Sequence, residues 1–235
     1  MIFLREHWFE AASDIQARLG PIVVRADGIK NERKARQYIA SVLGILRALE
    51  GATRTGNAVI TMIRFHNKPV LIFPYDGQGG PCNAWAKRDW GLFTGTVSFT
   101  PFVGGGCRGP RGTYPVAKLP HELLVHELTH IVRAVSGNWM KVGEEDEEEL
   151  ANMVANIFSV EINRRPRLDY IHDDAEVTGD LAVFSREYHD EHFEMIEAFC
   201  RQNKHFAIKL ARVKTAFNPL LQYMNATRPP EWSGR

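Results

Sequence analysis

Between residues 31 and 50, apolar side chains recur at Ile39, Val42, Leu43, Leu46 and Leu49, at intervals that place them on one face of a helix. The spacing predicts an amphipathic helix stopped by Gly51, with the basic run 30–36 as its solvated first turns. TGNAVITMIRFH, at 55–66, reads as a shorter helix, because Val59, Ile60 and Ile63 share a face and Thr55 or Asn57 offers a cap. The period then changes. PVLIFPYD, at 69–76, is an apolar run between prolines, as expected of a buried strand. Two Gly-rich stretches, 77–95 and 103–115, read as loops, with TVSFTPF at 96–102 as a short strand between them. Helical spacing returns at 120–136, after Pro120 and before Gly137. It returns again at about 145–161, where Ala151, Val154, Ala155 and Phe158 form the inward stripe, and Ile196, Phe199 and Cys200 mark a C-terminal helix. The expected architecture is α+β, mainly helical with a small sheet. No repeat, low-complexity tract or linker divides the chain, so 1–235 reads as a single domain.

Composition narrows the function class. With 44% hydrophobic and 24% charged residues, the chain can bury a substantial core. A formal net charge of +1 gives no global attraction to nucleic acid or to an anionic membrane. The opening MIFLREHWFEAA is broken by Arg5, Glu6 and Glu10, and no long apolar run follows, so neither a Sec signal nor a membrane span is expected. Cys82, Cys107 and Cys200 are odd in number and lack C-x-x-C spacing, which argues against a disulfide framework and a thiolate metal site. A Cys82–Cys107 bridge stays open. GGPCN and VGGGCRG lack the Gly-Lys-Ser/Thr ending of a phosphate loop.

The chemistry concentrates in PHELLVHELTHIV, at 120–132, where His-Glu occurs twice. His126 and His130 are four apart, so they lie roughly 40° apart on one helix face and can grip one ion. His121 and His126 are five apart, roughly 140° around the helix, and cannot; His121 reads as a surface residue of the first turn. Only His126-Glu127-Leu128-Thr129-His130 is H-E-x-x-H, in which two imidazoles bind zinc and the intervening Glu acts as general base on a water. Such a site needs a third protein ligand, and the acidic run after Gly143 is the obvious source. Most of that run is expected to be a solvated helix start favoured by the helix dipole. Glu148 lies three, four and seven residues before Ala151, Asn152 and Ala155 and so shares the inward edge; Glu147 is the alternative ligand. Asn152, one turn on, would orient a ligand histidine, and Glu144, Glu145 and Glu149 would face solvent.

HELTH followed by EEELANMVANIF resembles the gluzincin pattern, H-E-x-x-H and then E-x-x-A. The closer likeness is to NleD-type effector proteases and the metallopeptidase toxin domains of type VI secretion spike and Rhs proteins. It is carried also by the proline before the motif helix, RLDY at 167–170 and AFNPL at 216–220, and spans about residues 35–221. Two departures stand out: Glu149 occupies a position where an aromatic is usual, and Tyr170 one where a His is usual. The resemblance implies a zincin-like fold whose edge strand, here TVSFTPF, borders the active-site cleft and pairs with extended substrate. It implies a secreted bacterial effector without a Sec signal, cleaving a protein of a recipient cell, in a host cytosol or a rival's periplasm, with an immunity protein or a secretion carrier as partner. His126, His130 and Glu148 would bind Zn2+ and Glu127 would be catalytic. Tyr170 would be the oxyanion donor or a packing residue, with His172 the alternative donor, while Tyr188, His189 and His192 would be surface. The rival readings are a non-catalytic zinc-stabilised binding module and a chance motif on a core helix.

Overall fold

The computed structural model describes residues 9–11, 14–75, 84–90, 92–101, 107–109, 112–114, 119–167 and 177–227. Strands β1 (Phe9–Ala11), β2 (Asp14–Leu19) and β3 (Ile22–Arg25) form an antiparallel meander. Helix α1 (Glu32–Ala52) follows, with Asn31 accepting from the Lys34 N–H as its N-cap and all five expected apolar positions buried. It runs through Gly51, because a glycine at a helix end stops a helix only where the backbone turns left-handed. The break falls at Thr53, extended at φ −132°, whose hydroxyl accepts from Gly56 N–H and caps α2 (Arg54–His66) in place of Thr55 or Asn57. The chain then enters β4 (Val70–Pro74), parallel to β3.

The Gly-rich region departs from the sequence expectation. β5 (Ala84–Trp90) and β6 (Phe93–Phe99) form an antiparallel hairpin where a loop was expected, so the short strand begins at 93 rather than 96. A further hairpin, β7 (Cys107–Gly109) and β8 (Gly112–Tyr114), lies within the second stretch. Among the described residues the main sheet is mixed, in the order β1-β2-β3-β4-β6-β5. β6 is therefore interior, bonded to β4 on one side and β5 on the other, and cannot be the edge strand. The edge on that side is β5. Glycines concealed both strands: the alternating segment AWAKRDW is short and followed in sequence by Gly91, and Gly95 interrupts its partner.

Helices α3 (Pro120–Val135) and α4 (Glu144–Glu161) follow, then α5 (Leu181–Glu191), α6 (Phe193–Gln202), α7 (Lys204–Ala211) and α8 (Pro219–Thr227) in place of the single C-terminal helix expected. Pro120 stands at the start of α3, where the Leu119 N–H donates to Glu122 Oε2 at 2.6 Å. Every residue from Leu124 to Val135 is buried, because α3 packs against α2, α4, β5 and β6 at once. The close approach to β6 depends on Gly95, where a Cβ would lie 2.7 Å from Ile131 Cδ1. Gly137, at φ +76°, turns the chain out of α3. Ile196, Phe199 and Cys200 are buried on α6, and Cys200 is a free thiol that burial pushes up to about 12. Cys82 and the side chain of Cys107 lie outside the described residues. Among the described residues, no helix is long and apolar enough to cross a membrane.

Candidate metal centre

Helices α3 and α4 run antiparallel, since Glu122 meets Ser159 at one end of the pair and Arg133 meets Glu147 at the other. The separations agree: from 122 to 133 and from 147 to 159 the helices advance about 17 and 18 Å. A short turn, 136–143, makes the reversal, with left-handed backbone at Gly137, Met140 and Gly143. This pairing carries Glu148 to the His126–His130 face.

The three donors converge. His126 Nε2 and His130 Nε2 are 3.3 Å apart; Glu148 Oε2 is 3.1 Å from the first, and Oε1 3.4 Å from the second. Four-coordinate bonds of roughly 2.0–2.1 Å place neighbouring ligand atoms about 3.3–3.4 Å apart, so the donor triangle has the size one ion requires. His126, His130 and Glu148 could thus hold a metal ion. The side chains of His126 and His130 are 5% and 4% exposed and that of Glu148 is 29%, so the cluster meets solvent on the Glu148 side. Glu127 is buried between the histidines in sequence but is not one of the clustered donors.

The electrostatics show a site that seeks positive charge. Burial alone would push the His130 imidazole down. The carboxylates around it, Glu147 at the Nδ1 edge with Glu148 and Glu127, raise it instead to about 9. Burial would push the Glu148 carboxyl up, but His126 and His130 hold it far below the usual carboxylate range. A metal ion at the three donors would compensate the same carboxylate charge.

The neighbouring glutamates differ from expectation. Glu147, the alternative ligand, is fully buried and accepts from Arg133 Nε at 2.7 Å. It faces His130 Nδ1 at 3.7 Å, the place assigned to Asn152, whose buried Nδ2 has no hydrogen-bond partner. The reason is polarity of packing. The turn brings the first residues of α4 beside the last turn of α3, so the groups behind His130 come from before Glu148 rather than after it. Glu149 is likewise buried, accepting from the Tyr188 hydroxyl at 2.7 Å, whereas Glu144 and Glu145 are exposed as expected. Tyr188 and His189 are buried on α5, and His192 is half-buried beside the Tyr188 ring. His121 is half-buried in the first turn of α3, and its burial lowers its pKa. Trp139, half-buried in the turn, sets its ring 5.2 Å from that of His130. Tyr170 and His172 lie outside the described residues.

Sequence reasoning missed Arg133. Its signal was present: Arg133 lies one turn beyond His130, on the same face, and two adjacent glutamates follow across the turn. No family model matches the chain, and no curated protein or solved structure matches it either.

Proposed function

We propose that this chain is a zinc-dependent endopeptidase. The observation that carries the reading is the convergence of two imidazoles and one carboxylate at ligand spacing, with Glu127 buried beside them and outside the donor set. Borderline nitrogen and oxygen donors suit zinc, and three protein ligands are the number that leaves a coordination position open, whereas a structural site closes with a fourth. Zinc bound there supplies a lowered water pKa, towards about 7, and polarises a substrate carbonyl. Glu127 then serves as the general base: its carboxylate accepts the proton of the attacking water and delivers it to the departing amide nitrogen. Burial on α3 keeps that carboxylate close to His130, whose pKa its charge helps to raise. Tyr170, or His172 two residues on, is the proposed donor to the developing oxyanion. β5, outermost in the sheet among the described residues, packs against α3 and is the strand proposed to pair with an extended chain, the role that interior β6 cannot take. Action as a secreted effector on a protein of a recipient cell, with an immunity protein as partner, follows from the resemblance to effector metallopeptidases.

The deciding experiment is Glu127→Gln, which keeps size and polarity but cannot accept the proton at neutral pH. Zinc content should stay at wild-type level. Cleavage of a proteome-derived peptide library, read by mass spectrometry of new termini, should fall by at least about a hundredfold. Growth arrest on expression in bacteria, with and without a periplasmic signal, should fall in parallel and locate the target compartment. A variant that keeps zinc and the full biological effect would make the chain a zinc-stabilised binding module instead.

A further inference from the structure

His130 is held between two carboxylates on adjacent residues. Glu148 lies on its Nε2 edge at 3.4 Å and Glu147 on its Nδ1 edge at 3.7 Å. The second carboxylate is not available as a ligand. Both Glu147 oxygens accept from Arg133 Nε, at 2.7 and 2.8 Å, and Oε2 also accepts from the Met140 N–H at 3.1 Å. Glu147 and Arg133 are 1% and 0% exposed, so the pair is sealed from water. The guanidinium is fixed in turn: Nη2 donates to the Asn138 carbonyl at 2.9 Å and to Gln202 Oε1 on α6 at 3.3 Å.

A buried ion pair of this kind is weak evidence for stability, since desolvation offsets much of its attraction. Its location points to a different use. The geometry points to Glu147 as the positioning residue of the metal centre, resting on the metallopeptidase reading above. At 3.7 Å the Glu147 carboxylate is beyond hydrogen-bond reach of Nδ1, which has no hydrogen-bond partner, but its charge on that edge favours the proton there and leaves Nε2 facing Glu148 and His126. Arg133 supplies the opposite charge beside the buried carboxylate, and the turn N–H of Met140 donates to its Oε2. Imidazole ligands are commonly oriented by a carboxylate behind them, and its loss weakens metal affinity roughly 10–100-fold. The turn 136–143 therefore does more than reverse the chain: Asn138 and Met140 hold the two members of the pair on either side.

The test compares wild type, Glu147→Gln and the neutral pair Arg133→Gln/Glu147→Gln for zinc affinity by chelator competition, with folding followed by circular dichroism. Zinc-loaded wild type is also examined by 15N NMR of the His130 ring. Both variants should fold and bind zinc roughly 10–100-fold more weakly, with the wild-type His130 proton on Nδ1. If the neutral pair recovers wild-type affinity, Glu147 serves only to satisfy Arg133 and the inference fails. If Glu147→Gln loses zinc as completely as His126→Ala, Glu147 is a ligand and the inference fails in the other direction. Should neither variant fold, the ring signal decides, because zinc on Nδ1 with the proton on Nε2 excludes this role. Wild type that binds no zinc overturns the parent reading, and this one with it.

Discussion

Glu147, Glu148 and Glu149 meet three different partners on consecutive residues: the Arg133 guanidinium, the two imidazoles and the Tyr188 hydroxyl. A helix turns about 100° per residue, so three neighbours sweep most of its circumference, and here every direction they sample is occupied. Alanine at each should give a distinct signature. Glu148→Ala should remove zinc from the purified protein, as should His126→Ala and His130→Ala, while Glu144→Ala and Glu145→Ala leave it in place. Glu149→Ala should retain zinc but lose about 1–2 kcal/mol in urea denaturation, because a buried hydroxyl loses its strongest acceptor. Metal analysis and denaturation on one set of proteins separate these roles. Full zinc in Glu148→Ala would move the third ligand elsewhere.

At the scale of elements, the centre depends on how closely α3 can approach the sheet. Thr53 breaks α1 from α2, and α2 packs on one flank of α3 while β5 and β6 pack on another. A tight point is Gly95 on β6 beneath Ile131, one residue after His130. Gly95→Ala should destabilise the protein by about 1–3 kcal/mol through overpacking. The contact atom is Ile131 Cδ1, which valine lacks, so the penalty of Gly95→Ala should shrink in an Ile131→Val background. A double-mutant cycle in urea measures that coupling. Equal penalties in the two backgrounds would show that the helix is positioned by something other than this contact.

Among the described residues a buried cluster runs from Ala17 to Tyr223, and the His126, His130 and Glu148 donors sit where α3 and α4 meet it. On the proposed reading, zinc bound to donors from both helices would stabilise only the folded state. Zinc at a hundred times its dissociation constant should add about 2.7 kcal/mol, which raises Tm by roughly 5–10 °C for a chain of this size. Stripping the metal with a chelator should lower Tm by that amount, and His126→Ala should show no such response. Equal melting with and without zinc would mean that the donors do not hold the ion in the folded state.

The pattern of residues by itself determined the first four helices and two of the three donors. Periods of three and four mark α1, α2, α3 and α4, and His126 and His130 share a face because helical geometry alone separates residues four apart by one turn. Glu148 was legible by the same periodicity, since the inward edge of α4 can be counted from Ala151 and Ala155. Only the tertiary structure decided the rest. Whether a strand lies at the edge or inside depends on pairing with distant segments, so β6 could be read as a strand but not as interior. Glycines at 91 and 95 hid the β5–β6 hairpin, because local propensity registers a glycine's freedom and not the helix that must fit over it. The acidic start of α4 looked solvated for a similar reason: charge alone favours water, and Glu147 and Glu149 are buried because Arg133 and Tyr188 reach them from other helices.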